Sequence, residues 1–241
     1  MLLCNAISGT TAARKALPYA HSTPDAIEAR SFAVIESEAR EMHTFTGNAW
    51  FIARRLVHSA GDLSLLRELH LPDSAIDAGL VALRRSAEIF TDTEMARAGI
   101  NSRRLEQLNV TASCILSRPG LDEEAKQRGV TRSRAGMESL GDRLDGAVVA
   151  VGNAPTALLA LLDHLDAGGA RPALIIAMAV GFVNAVEAKE LLLSLPEIPC
   201  LAVRGRRGGS PLAAAAVNAL TFMALEQPAG KNPRISLERQ E

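Results

Sequence analysis

The sequence predicts an α/β fold with a mainly parallel sheet, and three observations carry that reading. From Gly146 the chain repeats a strand, a glycine-bearing loop and a helix three times in succession. Each strand is an apolar run too short to be a globular helix, and each helix is rich in Leu or Ala. Hydrophobic residues make up 48% of 241 residues, enough for a sizeable core, and no second core is apparent. Three consecutive βα units imply parallel strands with right-handed crossovers. Residues 25–225 therefore read as one domain with an N-terminal helical elaboration.

Residues 1–24 carry Arg14 and Lys15 with no acid before Asp25. Lacking a basic stretch ahead of an apolar one, they read as a flexible leader rather than a secretory signal. Pro24-Asp25 opens a helix with Ile27, Phe32, Ile35, Ala39 and Met42 at helical spacing. A second helix runs from about Thr46 through Trp50, Ile52, Leu56 and Val57 to Gly61, with His58 in its last turn. Residues 63–71 are a short strand or helix, and Pro72-Asp73-Ser74 caps a helix through Leu83. Ile89-Phe90-Thr91 reads as a strand, after which Asp92 caps a helix over Thr93–Ala98 that Gly99 ends. Ser113–Leu116 is a further strand, and 121–128 and 132–143 are helices.

The three repeats follow. Strand 147–151 runs into Gly152-Asn153-Ala154-Pro155-Thr156 and a helix to 166, with Asn153 or Ala154 at the N-cap and Pro155 in the first turn. Strand 173–180 gives way at Gly181 to a helix through Glu187–Glu190 that stops before Pro196. Strand 200–203 leads through a glycine- and arginine-rich loop into a helix over Pro211–Ala224. Residues 226–241 are polar, contain Pro228 and Pro233, and read as a flexible tail.

In such a sheet the loops Gly152–Thr156, Val180–Asn184 and Arg204–Ser210 share one edge, where open α/β sheets bind ligands. Each loop contains Gly and feeds a helix N-terminus whose free N–H groups attract carboxylate or phosphate. Arg204, Arg206 and Arg207 add positive charge. Ordinary capped turns would use the same glycines, so the loops by themselves leave both readings open.

Composition removes several classes. A net charge of −1 gives no chain-wide attraction to nucleic acid or anionic membrane, and 3% aromatic residues leave little for stacking RNA bases. No apolar run reaches the roughly 20 residues of a membrane span. There is no GxGxxG after a strand, no GxxxxGK[ST] and no GxSxG, which disfavours dinucleotide, P-loop and hydrolase sites. The five histidines form no HExxH or close pair, so no metal is expected. Cys4, Cys114 and Cys200 are far apart and suggest a reducing, cytoplasmic compartment.

Eight segments in order then resemble the precorrin-8X methylmutase (cobalt-precorrin-8 methylmutase) family of cobalamin biosynthesis, over about residues 25–220. They are Arg30-Ser31-Phe32, Arg55–Asp62, Asp92-Thr93-Glu94-Met95, Gly99-Ile100, Thr131-Arg132-Ser133, Gly152–Leu158, Val180-Gly181-Phe182-Val183 and Gly205–Ser210. The resemblance implies a flavodoxin-like three-layer fold, a homodimer with sites near the subunit interface, and no cofactor. It implies an isomerase that moves a methyl group from carbon 11 to carbon 12 of precorrin-8X or cobalt-precorrin-8, giving hydrogenobyrinate or cobyrinate. His58 matches the family's proposed proton donor. Protonating a ring nitrogen makes the conjugated system electron-poor and favours the shift, and an ordinary imidazole, with a pKa near 6.5, can supply that proton. Apart from the resemblance, His58 would read as a cation stabilising a helix C-terminus.

The substrate's acetate and propionate arms call for Arg132 as a bidentate clamp, with Thr131 and Ser133 as hydroxyl partners. Ser31 and Asn153 are either binders or caps, and Arg206 either meets a carboxylate or is solvated. Thr156, Gly181, Gly208, Gly209 and Ser210 complete the predicted substrate set. The chain departs from the family pattern at Ala179, Asn184, Ala188 and Arg118. The second functional reading is a corrinoid-binding protein without turnover.

Overall fold

A computed structural model of the chain describes residues 22–226, which divide into two compact units, one ending at Glu41 and one beginning at Met42. The predicted leader and tail fall almost wholly outside the described residues. Among the described residues the first unit contains the helix α1 (Pro24–Ala39), which Thr23 caps by accepting the N–H of Ala26 at 3.3 Å.

The second unit begins with α2 (Gly47–Ala60), which buries Phe51, Ile52, Ala53, Leu56 and Val57. The ambiguous stretch 63–71 is both things predicted: a 3-10 turn over Leu63–Glu68, then the two-residue strand β1 (Leu69–His70). There follow α3 (Asp73–Arg84), β2 (Ile89–Thr91), α4 (Glu94–Gly99), α5 (Ser102–Leu108), β3 (Ala112–Cys114), α6 (Leu121–Arg128) and α7 (Arg132–Glu138). The three repeats give β4 (Val148–Val151), α8 (Pro155–Asp166), β5 (Leu174–Ala177), α9 (Ala185–Leu193), β6 (Cys200–Val203) and α10 (Ser210–Glu226).

The sheet order is β1-β6-β5-β4-β2-β3, parallel throughout except that β1 runs antiparallel to β6. Numbered among themselves, the five parallel strands have the order 2-1-3-4-5, the flavodoxin-like arrangement. Strand order reverses between β2 and β4, which makes their carboxyl ends the topological switch point.

Helices cover both faces, so β4, β5 and β6 are buried at every position. Val149, Val151, Ile175, Ala177, Cys200 and Ala202 join residues of α7, α8 and α9 in one core. Leu174, one residue out of phase, faces the other layer: a Cβ on Gly79 of α3 would lie 2.6 Å from its Cδ2. In that layer α10 is buried along most of its length and packs against α2, α3, α4 and α5.

Four expectations change. Thr93, not Asp92, caps α4, accepting the N–H of Ala96 at 3.1 Å. Helix 132–143 ends at Glu138, and a 3-10 turn over Gly141–Leu144 finishes the segment. The chain leaves the strand ladder after Ala177, because the Met178 carbonyl turns to accept the N–H of Gly209 at 2.7 Å. The fourth is α5, which the sequence reading missed; Asn101 caps it through the N–H of Arg104.

Candidate active site

The carboxyl ends of the strands form the edge on which the site is built. At the switch point, Asp92 follows β2 and is fully buried. Its Oδ1 accepts the N–H of Gly152 at 2.8 Å, and its Oδ2 accepts those of Asn153 and Ala154 at 2.7 and 2.6 Å. These N–H groups belong to the loop that leads into α8 and include that of its N-cap Ala154, whereas the sequence had offered the first-turn N–H groups to a ligand. The protein's own carboxylate holds the loop's donors and fixes its path into the helix. Burial raises the Asp92 pKa above the usual carboxylate range, and the three backbone N–H groups oppose the rise. Close packing explains the glycine here: a Cβ on Gly152 would lie 2.7 Å from the Ser210 Cα at the start of α10.

Beyond β5 and β6 lies an open cleft of about 380 Å³. Ala60, Asp62 and Leu65 from the end of α2 and the turn after it form one wall. Val180, Phe182, Arg206, Arg207 and Gly208 from the two strand loops form the other. Two hydrogen bonds from Ser64 to Asp62, with Arg207 beside them, hold the Asp62 carboxyl below its usual range. Arg207 bonds to Ser64 at 2.8 Å and pairs with Asp62 at 3.1 Å, and Arg204 pairs with Glu190 at 2.9 Å. No ion pair among the described residues holds Arg206, whose guanidinium lies over the Phe182 ring at 5.2 Å. Phe182 and Val183 are 84% and 76% exposed, which leaves an apolar tip beside an uncommitted cation.

His58 is exposed in the last turn of α2, two residues before the cleft residue Ala60. Thr131, Arg132, Thr156 and Asn153 gather on another part of the same edge. Thr131 caps α7 through the N–H of Arg134 and donates its hydroxyl to Thr156 at 2.8 Å, which brings the starts of α7 and α8 together. Arg132 pairs with Asp122 at 3.2 Å, both well exposed. Asn153 is exposed, and its backbone N–H is one of the three held by Asp92. Ser133 is half-buried in the first turn of α7, and Ser31 lies on α1, in the other compact unit.

The remaining predicted residues lie deeper. Ser210 is buried, with its hydroxyl 2.7 Å from that of Thr93. Gly208 needs its missing side chain for packing: a Cβ there would lie 2.0 Å from the Met178 carbonyl oxygen. Gly181 donates its N–H to the Arg206 carbonyl at 3.1 Å, stitching the two loops together. The departure at Asn184 is accommodated, because its φ of +60° suits Gly first and Asn next.

Sequence reasoning missed two groups. Asp92 was read as a helix cap, although an acid directly after an apolar strand at a switch point also suggests a loop anchor. Lys189 was placed only within a helix, with no role of its own. Its position at the apolar spacing of Ala185, Ala188 and Leu192 is the signal that it is buried. Among the described residues no cluster of three or more His, Cys, Asp or Glu is placed to hold a metal, and no helix is long and apolar enough to cross a membrane.

Residues 26–223 match the family model described as Precorrin-8X methylmutase. The cobalt-precorrin-8 methylmutase of Priestia megaterium is 37% identical over 201 residues, covering 83% of this chain and 88% of the relative. The precorrin-8X methylmutase of Pseudomonas aeruginosa is 41% identical over 196 residues, covering 81% and 93%. Among solved structures, the precorrin-8x methyl mutase of Thermus thermophilus superposes with a TM-score of 0.76 at 37% identity, over 83% of this chain and 98% of that one. With its fold shared by a solved member and residues 26–223 matched in this way, the chain belongs to the precorrin-8X methylmutase family, isomerases of cobalamin biosynthesis.

Proposed function

We propose that the protein moves the methyl group of precorrin-8X, or of cobalt-precorrin-8, from carbon 11 to carbon 12, with His58 lending a proton to the macrocycle. The observation that carries this reading is the meeting of the end of α2, through Ala60 two residues after His58, with the Arg206 loop at one cleft. Protonation of a ring nitrogen withdraws electrons from the conjugated system and lowers the barrier to migration. Substrate and product are isomers, so the proton is returned and no redox partner is consumed.

Arg206 is free to meet a carboxylate arm, and Phe182 offers an apolar surface for the ring. Arg132 is held only by an exposed pair with Asp122, an interaction worth about 0–1 kcal/mol, so a substrate carboxylate can displace Asp122. Arg132→Ala is expected to raise KM about tenfold, the scale of one lost charge-assisted contact, with kcat little changed. Steady-state kinetics checks this; an unchanged KM removes Arg132 from the clamp. Thr131, Ser133, Asn153 and Thr156 complete the polar surroundings in this reading, while Gly181, Gly208, Gly209 and Ser210 shape the loops beneath it. A second copy of the chain would cover Phe182 and Val183 and close the open cleft around so large a ligand, and the protein works in the cytoplasm.

The deciding experiment mixes purified protein with precorrin-8X and, separately, with cobalt-precorrin-8. The visible spectrum should change while the mass stays constant. Binding without spectral conversion would make the protein a corrinoid carrier instead.

A further inference from the structure

Lys189 is fully buried on the inner face of α9. Burying an ammonium is costly, and a methionine would fill the same space without that cost. The charge serves a hydrogen bond: Nζ donates to the backbone carbonyl of Arg207 at 2.8 Å. Burial lowers the Lys189 pKa to about 8, while the carboxylates of Glu68 and Glu190 hold it up. Glu68 lies just before β1, and its Oε2 is buried without a hydrogen-bond partner.

The Arg207 carbonyl stands at the start of a weak point in the cleft wall. Gly208 and Gly209 follow at φ of +157° and +122°, a path that glycines can leave as easily as they adopt it. Gly208 packs on the backbone at Met178, so any drift of that peptide would break the joint between the two loops. Arg206 and Arg207, immediately before it, line the cleft. We infer that Lys189 is a positioning residue for the substrate cleft, holding the Arg206–Gly208 wall through the Arg207 carbonyl at the expense of fold stability. The inference rests on the proposed function in taking the carboxylated macrocycle as the ligand of that wall.

The test is Lys189→Met, with the double variant Lys189→Met/Glu68→Gln and Glu68→Gln alone as its control, because Glu68 also pairs with Arg207 at 3.7 Å. The expected result in either folded Lys189 variant is a Tm equal to or above that of the unmodified protein. Amide exchange at residues 205–209 should accelerate, and KM should rise about tenfold with kcat within about twofold, as one lost charge-assisted hydrogen bond implies. A lower Tm with unchanged loop exchange and unchanged KM would reduce Lys189 to a structural residue and overturn the inference. Exchange is read without substrate, so the two readings fail separately. Faster loop exchange in a protein that converts no precursor keeps the positioning role and rejects the activity. Normal conversion and KM with an unaltered loop does the reverse.

Discussion

Replacing His58 with Ala is expected to lower kcat by about 10²–10⁴-fold, the usual contribution of a positioned general acid. Binding of the precursor should change little, because His58 is a single exposed side chain and the carboxylate arms are met elsewhere. Stability should fall by about 1 kcal/mol, the usual scale of a single substitution. The three effects separate chemistry from folding: single-turnover conversion reads the first, spectral titration the second and thermal unfolding the third. Conversion at the normal rate would remove His58 from the reaction, and a large loss of Tm would make it a helix cap.

Asp92→Asn is expected to destabilise the fold by about 3 kcal/mol, since an amide leaves buried N–H groups unpaired. The carboxylate accepts three of them, whereas an asparagine has one accepting oxygen and would turn an NH₂ toward the rest. Urea unfolding should show a lower midpoint at an unchanged slope, and a loss under about 1 kcal/mol would contradict the account. The pH dependence has an unusual sign for a bonded carboxylate. With its folded-state pKa raised, Asp92 favours the folded chain below the unfolded value, and that contribution is lost as pH rises through the folded value. Acid unfolding is therefore not expected to start at Asp92.

The parallel repeats were legible because short apolar runs before Gly-containing loops have few other uses, and β4, α8, β6 and α10 fall within a few residues of expectation. The edge strand β1 was left open between strand and helix, because two residues carry no period and pair only through β6, far along the chain. Helix α5 was missed because none of its seven residues is buried, so it has no apolar stripe to read, although Asn101 and Asn109 mark its two ends. At the site, the sequence placed the right loops on one edge. It missed the partner of the Gly152–Ala154 N–H groups because Asp92 is about sixty residues away, and only the pairing of β2 with β4 brings it there. Lys189 was hidden similarly: a lone lysine in a helix is ordinarily solvated, and its partner is a carbonyl of another loop.

The buried Asp92 also bears on what this architecture can be adapted to do. Doubly wound sheets of this order commonly receive a flavin phosphate at their switch point. Here a phosphate brought to that turn would meet a like charge and find its donors already taken. Recruiting this scaffold for a nucleotide would require removing Asp92 and then restoring the loop that Asp92 holds. A large carboxylated ring, gripped farther along the same edge, makes no claim on those donors, so the scaffold's lineage of ligands is constrained by an anion it already contains.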